Sequence, residues 1–320
     1  MIAMTDISAA KTRIAPHIRA TPVVALESGA ICDHPVHLKL EFMQHTGSFK
    51  VRGALNTILA AGADAGSVVA VSGGNHGAAV AFAATRLGLA STVFAPASAA
   101  GIKADRMAHY GADVRILDLP FPDLIGLYTE FAAETGALAI HPYDAPFTLS
   151  GQGTLGPEIE NQIPELDTLL VSVGGGGLIG GITAWFQNRI RIVAVETEQT
   201  ASYAAALKHG PGTVISPAGL AANSLGGPSI GTLPWNILHR HQVRSVIVSD
   251  RAVVNAQRQL WESVRILCEP GAAAAVAALH SGQYRPAKNE RVGVLICGAN
   301  AAPDWFLQDQ TAAPVSPTGA

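Results

Sequence analysis

Thr168-Leu169-Leu170-Val171-Ser172-Val173-Gly174-Gly175-Gly176-Gly177-Leu178 is the stretch whose reading decides the fold. Its first half is apolar apart from Thr168 and Ser172 and shows no polar alternation, which predicts a short strand buried on both faces. The glycine run can turn tightly because no Cβ blocks the backbone. From Leu178 to Gln187 the composition predicts a helix. Strand, glycine turn and helix make the repeating unit of a parallel α/β sheet. The turn also gathers N–H groups at a helix N-terminus, where a phosphate is held well. Two alternatives stay open. One is a tight turn that binds nothing. The other is a nicotinamide-dependent oxidoreductase, because Gly175-x-Gly177-x-x-Gly180 satisfies GxGxxG and Glu196 lies near the ~20-residue offset of a ribose-binding acid. A run of four glycines is atypical of that fingerprint.

The same grammar recurs upstream. Ser67–Val71 reads as a strand, Ser72-Gly73-Gly74-Asn75-His76-Gly77 as a polar glycine turn, and Ala78–Leu87 as a helix. Strands at Ser91–Ala95, Asp113–Leu117 and Ala137–Ile140 alternate with helices at Ala99–Tyr110 and Phe121–Thr135. This middle block predicts a compact βα unit with a parallel sheet. Around it lie a helix over 5–20, ended by Thr21-Pro22, a strand at Val36–Glu41, and a helix from Val51 to Ala61. The chain leaves the middle unit between Tyr143 and Gly151, and a helix runs from Gly153 to Gln162. Further on come strands at Arg191–Glu196 and Val243–Val248, helices at Asp250–Arg265 and Gly271–Leu279, and a last strand, Arg291–Ile296, ending at Cys297. Residues 208–234 read as a long loop, and the tail from Gln308 as disordered. The fold class is α/β with two parallel-sheet-centred domains. A small domain, 54–143, is inserted in a large one made of 1–53 and 144–320.

Composition narrows the function. The 320 residues are 48% hydrophobic and 14% charged, with a net charge of −3, so a sizeable core is available. No basic stripe argues for nucleic acid or an anionic membrane surface. Cys32, Cys268 and Cys297 form no CxxC, and the eleven histidines form no HExxH, so no catalytic transition metal is expected. The N-terminus lacks a signal-peptide pattern and no window approaches a membrane span, which predicts a cytoplasmic protein.

Three groups carry the chemistry. Lys50 follows the small polar turn Thr46-Gly47-Ser48-Phe49 and opens a helix. The Ser72 and Asn75 side chains, with the open amides of Gly73 and Gly74, suit a carboxylate, and Asn75 can donate to a phenolate-type oxygen, while His76 taken alone reads as a structural histidine. Cys297 ends a strand, where the ligands of parallel sheets gather.

Together these stretches resemble the pyridoxal-phosphate enzymes of the tryptophan-synthase-β fold group, in the branch of serine/threonine dehydratases and serine racemase. The matching motifs are Lys39-x-Glu41-x-x-Gln44-x-Thr46-Gly47-Ser48-Phe49-Lys50-x-Arg52-Gly53, Ser72-x-Gly74-Asn75-His76-Gly77, Gly151-Gln152-Gly153-Thr154, Gly174 to Gly177, Glu269-Pro270 and Cys297-Gly298-x-Asn300. They run in family order over about residues 20–300. The resemblance implies fold type II with pyridoxal 5′-phosphate in the interdomain cleft. Lys50 would carry the cofactor as a Schiff base and move the substrate α-proton. Phe49 would pack on the ring, Asn75 would bond its 3-oxygen, and Cys297 would face its nitrogen. Gly174, Gly175, Gly176 and Gly177, with the amide of Leu178, would hold the phosphate. Ser72, Gly73, Asn75 and His76 would hold the substrate carboxylate. The implied reaction is dehydration and deamination of L-threonine, L-serine or another β-hydroxy amino acid in a homodimer. A racemase is the nearer alternative, and a non-catalytic amino-acid binder a further one. Two departures matter. Racemases of this branch carry a serine acid/base where this chain has Gly73, and their divalent-metal site needs a later acid where this chain has Ser202.

Overall fold

The computed structural model describes residues 2–62 and 65–301. Among them the strands are Val23–Leu26 (β1), Val36–Lys39 (β2), Ser67–Val71 (β3), Ala90–Pro96 (β4), Ala112–Leu117 (β5), Leu138–Ala139 (β6), Thr168–Ser172 (β7), Arg191–Thr197 (β8), Arg244–Val248 (β9) and Val292–Leu295 (β10). The helices are Met4–Ile14 (α1), Lys50–Ala61 (α2), Asn75–Arg86 (α3), Ile102–His109 (α4), Phe121–Thr135 (α5), Pro146–Gly153 (α6), Leu155–Gln162 (α7), Gly177–Phe186 (α8), Ser202–His209 (α9), Ala222–Leu225 (α10), Thr232–Arg240 (α11), Asp250–Val264 (α12) and Pro270–His280 (α13). One sheet has the order β1-β2-β10-β7-β8-β9, the other β5-β4-β3-β6. All pairs are parallel except β1 with β2.

Burial explains these strands. Every residue of β7 and β10 is buried, as sheet interiors covered by helices require. Helix α13 lies against β7, β8 and β9, and its buried Ala272, Ala273, Ala274 and Ala275 let its backbone come close to the sheet. Among the described residues no helix is long and apolar enough to cross a membrane.

Several sequence expectations need correction. The helix expected over 5–20 stops at Ile14 and tightens into a 3₁₀ turn, Ala15–His17, because Pro16 has no N–H to continue the ladder. The strand expected to Glu41 ends at Lys39, and Glu41–Met43 is a 3₁₀ turn. The antiparallel edge strand β1 was not expected. The connection out of the middle unit holds helix α6, and a break at Thr154 separates it from α7. The expected loop over 208–234 contains α10 and the start of α11, and α9 precedes it. The expected disordered tail lies outside the described residues.

A buried ionic cluster holds the start of α2 in place. Arg52, on the first turn of that helix, is fully buried and bidentate to Glu41 at 2.6 and 2.9 Å. It also donates to Glu158 on α7 at 2.9 Å, and Lys39 meets the same carboxylate at 2.5 Å. Burial opposes charge on Glu158, but Arg52 and Lys39 outweigh it and hold its carboxyl below the usual range. Two cations and two carboxylates thus fix the first turn of α2, and with it Lys50.

Candidate active site

The carboxyl ends of β3, β7 and β10 meet in the cleft between the two sheets, as open parallel sheets arrange their ligands. The end of β7 delivers the glycine run. Gly176 is left-handed at φ 89°, and a Cβ on Gly175 would come within 2.4 Å of the Tyr143 ring. Neither position tolerates a side chain. The first-turn N–H groups of α8, including that of Leu178, have no partner within the helix and are free to hold an oxyanion.

Lys50 faces this cradle. Phe49, Lys50, Gly174, Gly175, Gly176, Gly177, Leu178 and Cys297 line one recess together with Tyr143, Ser172, Ser224 and Glu269. The Lys50 turn is tied to the end of β10: Phe49 N–H donates to the Cys297 carbonyl at 3.1 Å, and Ser48 bridges Gly298. Lys50 Nζ donates to the Pro142 carbonyl at 2.8 Å and lies 5.1 Å from the Phe49 ring centroid. Burial lowers its pKa to about 8, against the opposing pull of Cys297 and Glu269. Burial, with Glu269 nearby, pushes the Cys297 thiol well up, so it is neutral.

The Ser72–His76 turn does not line this recess but meets it through Asn75, which bonds the lining residue Glu269. Ser72 Oγ accepts from Gly74 N–H at 3.1 Å. Asn75 Nδ2 donates to both oxygens of Glu269, at 2.8 and 3.0 Å. His76 is buried, and its Nε2 lies 2.9 Å from the Ile140 carbonyl. A carbonyl only accepts, so Nε2 carries the proton and Nδ1 is a buried lone pair without a partner. Burial and the Lys50 charge bring His76 down to about 3, which keeps it neutral. Gly73 is backed by Ala99 and Pro96, with 2.9 Å from a built Cβ to the Ala99 methyl.

Sequence reasoning assigned no role to Tyr143, His141 or Glu269. Tyr143 covers the glycine run. His141 Nδ1 accepts from Asp144 N–H at 2.8 Å, and burial lowers its pKa. Glu269 is the buried acid at the mouth of α13, and burial raises its pKa. The signal for it was present in Glu269-Pro270, an acid directly before a helix-starting proline.

Glu196 answers the oxidoreductase alternative. Its side chain is buried and accepts from Tyr203 N–H at 2.7 Å, Ala204 N–H at 2.9 Å and Ser245 Oγ at 2.7 Å. It is consumed as a cap for α9 and cannot reach a ribose. Ser202, in the same turn, donates to the Gly174 carbonyl at 2.8 Å and so braces the glycine run.

Residues 14–298 match the family model described as pyridoxal-phosphate dependent enzyme. The chain belongs to that family. A serine racemase of Oryza sativa subsp. indica is 32% identical over 305 residues, covering 92% of this chain and 90% of its own. An L-threonine ammonia-lyase of Geobacter sulfurreducens is 33% identical over 309 residues, covering 93% of this chain and 76% of its own. The structure of maize serine racemase superposes with a TM-score of 0.88 at 30% identity, covering 97% of each chain. This is therefore a fold type II pyridoxal-phosphate enzyme of the serine racemase and threonine dehydratase group. The recess fits the cofactor: a glycine cradle a side chain would fill, a desolvated lysine and a neutral thiol face one another across it.

Proposed function

We propose that this enzyme removes water and ammonia from a small β-hydroxy amino acid such as L-serine or L-threonine, leaving a 2-oxo acid. One observation carries the reading. Lys50 is a desolvated amine against the glycine cradle, and the Ser72-Gly73-Gly74 turn offers no ionisable partner to it.

In this reading Gly174–Gly177 and the Leu178 amide would hold the cofactor phosphate, and Phe49, Asn75 and Cys297 would hold its ring. Bound pyridoxal phosphate supplies the electron sink for the bonds at the substrate α-carbon. A pKa of about 8 leaves part of Lys50 neutral near pH 7, ready to take the α-proton. A neutral Cys297 would give a bound cofactor no acidic partner at its ring nitrogen, which would favour elimination over transamination. The substrate carboxylate is held by Ser72, Asn75 and the first N–H groups of α3, where the helix dipole favours an anion. His76 is neutral and tied to Ile140, so it orients this turn rather than exchanging protons.

A second reading, amino-acid racemisation, is favoured by the names of the rice and maize relatives. Inversion needs a proton donor on the face opposite Lys50, and Gly73 provides none. Incubating the enzyme with a panel of β-hydroxy amino acids, while following 2-oxo acid and the chirality of remaining substrate, separates the two. Elimination should dominate, and Lys50→Ala should lose both turnover and the visible band of lysine-bound cofactor. Inversion as fast as elimination would replace the first reading with the second. No cofactor band in the wild-type protein would remove both.

A further inference from the structure

The Asn300 side chain joins three parts of the cleft. Its Nδ2 donates to the Thr46 carbonyl at 2.8 Å and to Asn75 Oδ1 at 2.7 Å. Its Oδ1 accepts from Arg106, an exposed residue of α4 in the smaller-sheet domain. Gly47 leaves room for it: a Cβ there would lie 2.5 Å from Asn300 Oδ1. Asn75 in turn donates to Glu269, whose carboxylate also takes a backbone N–H from Asn300.

We infer that Asn300 is a positioning residue that sets which way the Asn75 amide faces, and that Arg106 holds Asn300 from the other side of the cleft. An amide has nearly the same shape either way round, so only its partners decide its direction. Here every terminal partner has one sense. The Thr46 carbonyl only accepts and the Arg106 guanidinium only donates, and Asn75 Nδ2 reaches both Glu269 oxygens, at least one of which accepts whatever its protonation. Turning Asn300 over would set its oxygen against the Thr46 carbonyl and the Asn75 oxygen, and its amine against a cation. Turning Asn75 over would set its oxygen against Glu269. The network therefore turns the Asn75 amine, not its oxygen, toward Glu269, which lines the recess. Because Arg106 belongs to α4, the same contact registers the position of the smaller domain.

This inference rests on the proposed cofactor reading, but its test does not need turnover. The dissociation constant of pyridoxal phosphate is measured by absorbance titration for the wild type and for Asn300→Asp, Arg106→Met and Arg106→Lys. Asn300→Asp keeps the shape and removes both donors, so it should weaken cofactor binding by about tenfold or more. Arg106 is exposed and its loss leaves the Thr46 anchor, so Arg106→Met should cost about two- to fivefold with an unchanged melting temperature. Arg106→Lys restores a donor and should recover most of that. With substrate, both losses should fall on kcat more than on KM. An Asn300→Asp enzyme with wild-type cofactor affinity overturns the inference. So does an Arg106→Met loss that Arg106→Lys fails to recover, or an Arg106→Met enzyme equal to wild type. Should the wild type bind cofactor but eliminate nothing from β-hydroxy amino acids, the proposed reaction fails while the binding test still stands.

Discussion

In the proposed reaction Lys50 acts as the base, and where α2 begins is what suits it to that role. Its amine sits against the Pro142 carbonyl in a desolvated recess, and its pKa falls from 10.5 to about 8. The lysine accepts a proton only when neutral, so kcat should rise with pH and reach half its plateau near pH 8. A rise deferred to the ordinary lysine range would show that the site does not desolvate the amine. In the same reading Gly73 is the second residue whose identity would select the outcome. Gly73→Ser should raise the yield of D-amino acid relative to 2-oxo acid, read by chiral chromatography. The built Cβ lies 2.9 Å from the Ala99 methyl, so the substitution also strains the turn. Gly73→Ser with Ala99→Gly should relieve that strain and give more inversion than the single variant. If neither variant produces D-amino acid, the absent hydroxyl is not what withholds inversion. Lys50, the glycine run and Cys297 were legible in sequence because they sit beside backbone turns that local composition reveals. Tyr143 and Asn300 were not, because their importance comes from contacts with residues far away in the chain.

Helix α2 carries Lys50 on its first turn and is anchored by Arg52, Glu41, Glu158 and Lys39. Arg52→Met leaves Glu41 fully buried without its bidentate partner. Removing one member of a buried ionic cluster costs about 3–5 kcal/mol, and urea unfolding should show a loss of that size. A loss under about 1 kcal/mol would mean the cluster relaxes by admitting water. Helix α9 is held differently: Glu196 accepts from its first-turn N–H groups, while Ser202 at its start braces Gly174. Strands β3, β7 and β10 and helix α5 were legible because their apolar runs are strong and bounded by turns. Strand β1 was not, because a four-residue, half-exposed edge strand carries little periodicity. Helices α10 and α11 were hidden by Gly, Pro and Ser, which break a local pattern that tertiary packing restores.

On the scale of the whole molecule, the cleft is a seam between two sheet domains with polar ties along it. Lys103 on α4 donates to Asn223 at 3.0 Å, Arg106 donates to Asn300, and Asn75 donates to Glu269. In the proposed reading the cofactor seats lie on both sides of this seam: the glycine run and Cys297 belong to the larger sheet, Asn75 to the smaller. A ligand held from both sides stabilises the closed arrangement by binding only the folded state. At a hundredfold excess over its dissociation constant this amounts to about 2.7 kcal/mol. The melting temperature should therefore rise by several degrees as pyridoxal phosphate is added to cofactor-free enzyme. Lys50→Met keeps the phosphate cradle and the asparagine but loses the covalent link, so its rise should be smaller and need more cofactor. An equal rise in both proteins would place the holding force in the glycine cradle alone, and Lys50 would then be a catalytic group with little share in binding. No rise in either would mean that the two sheets do not close on the cofactor.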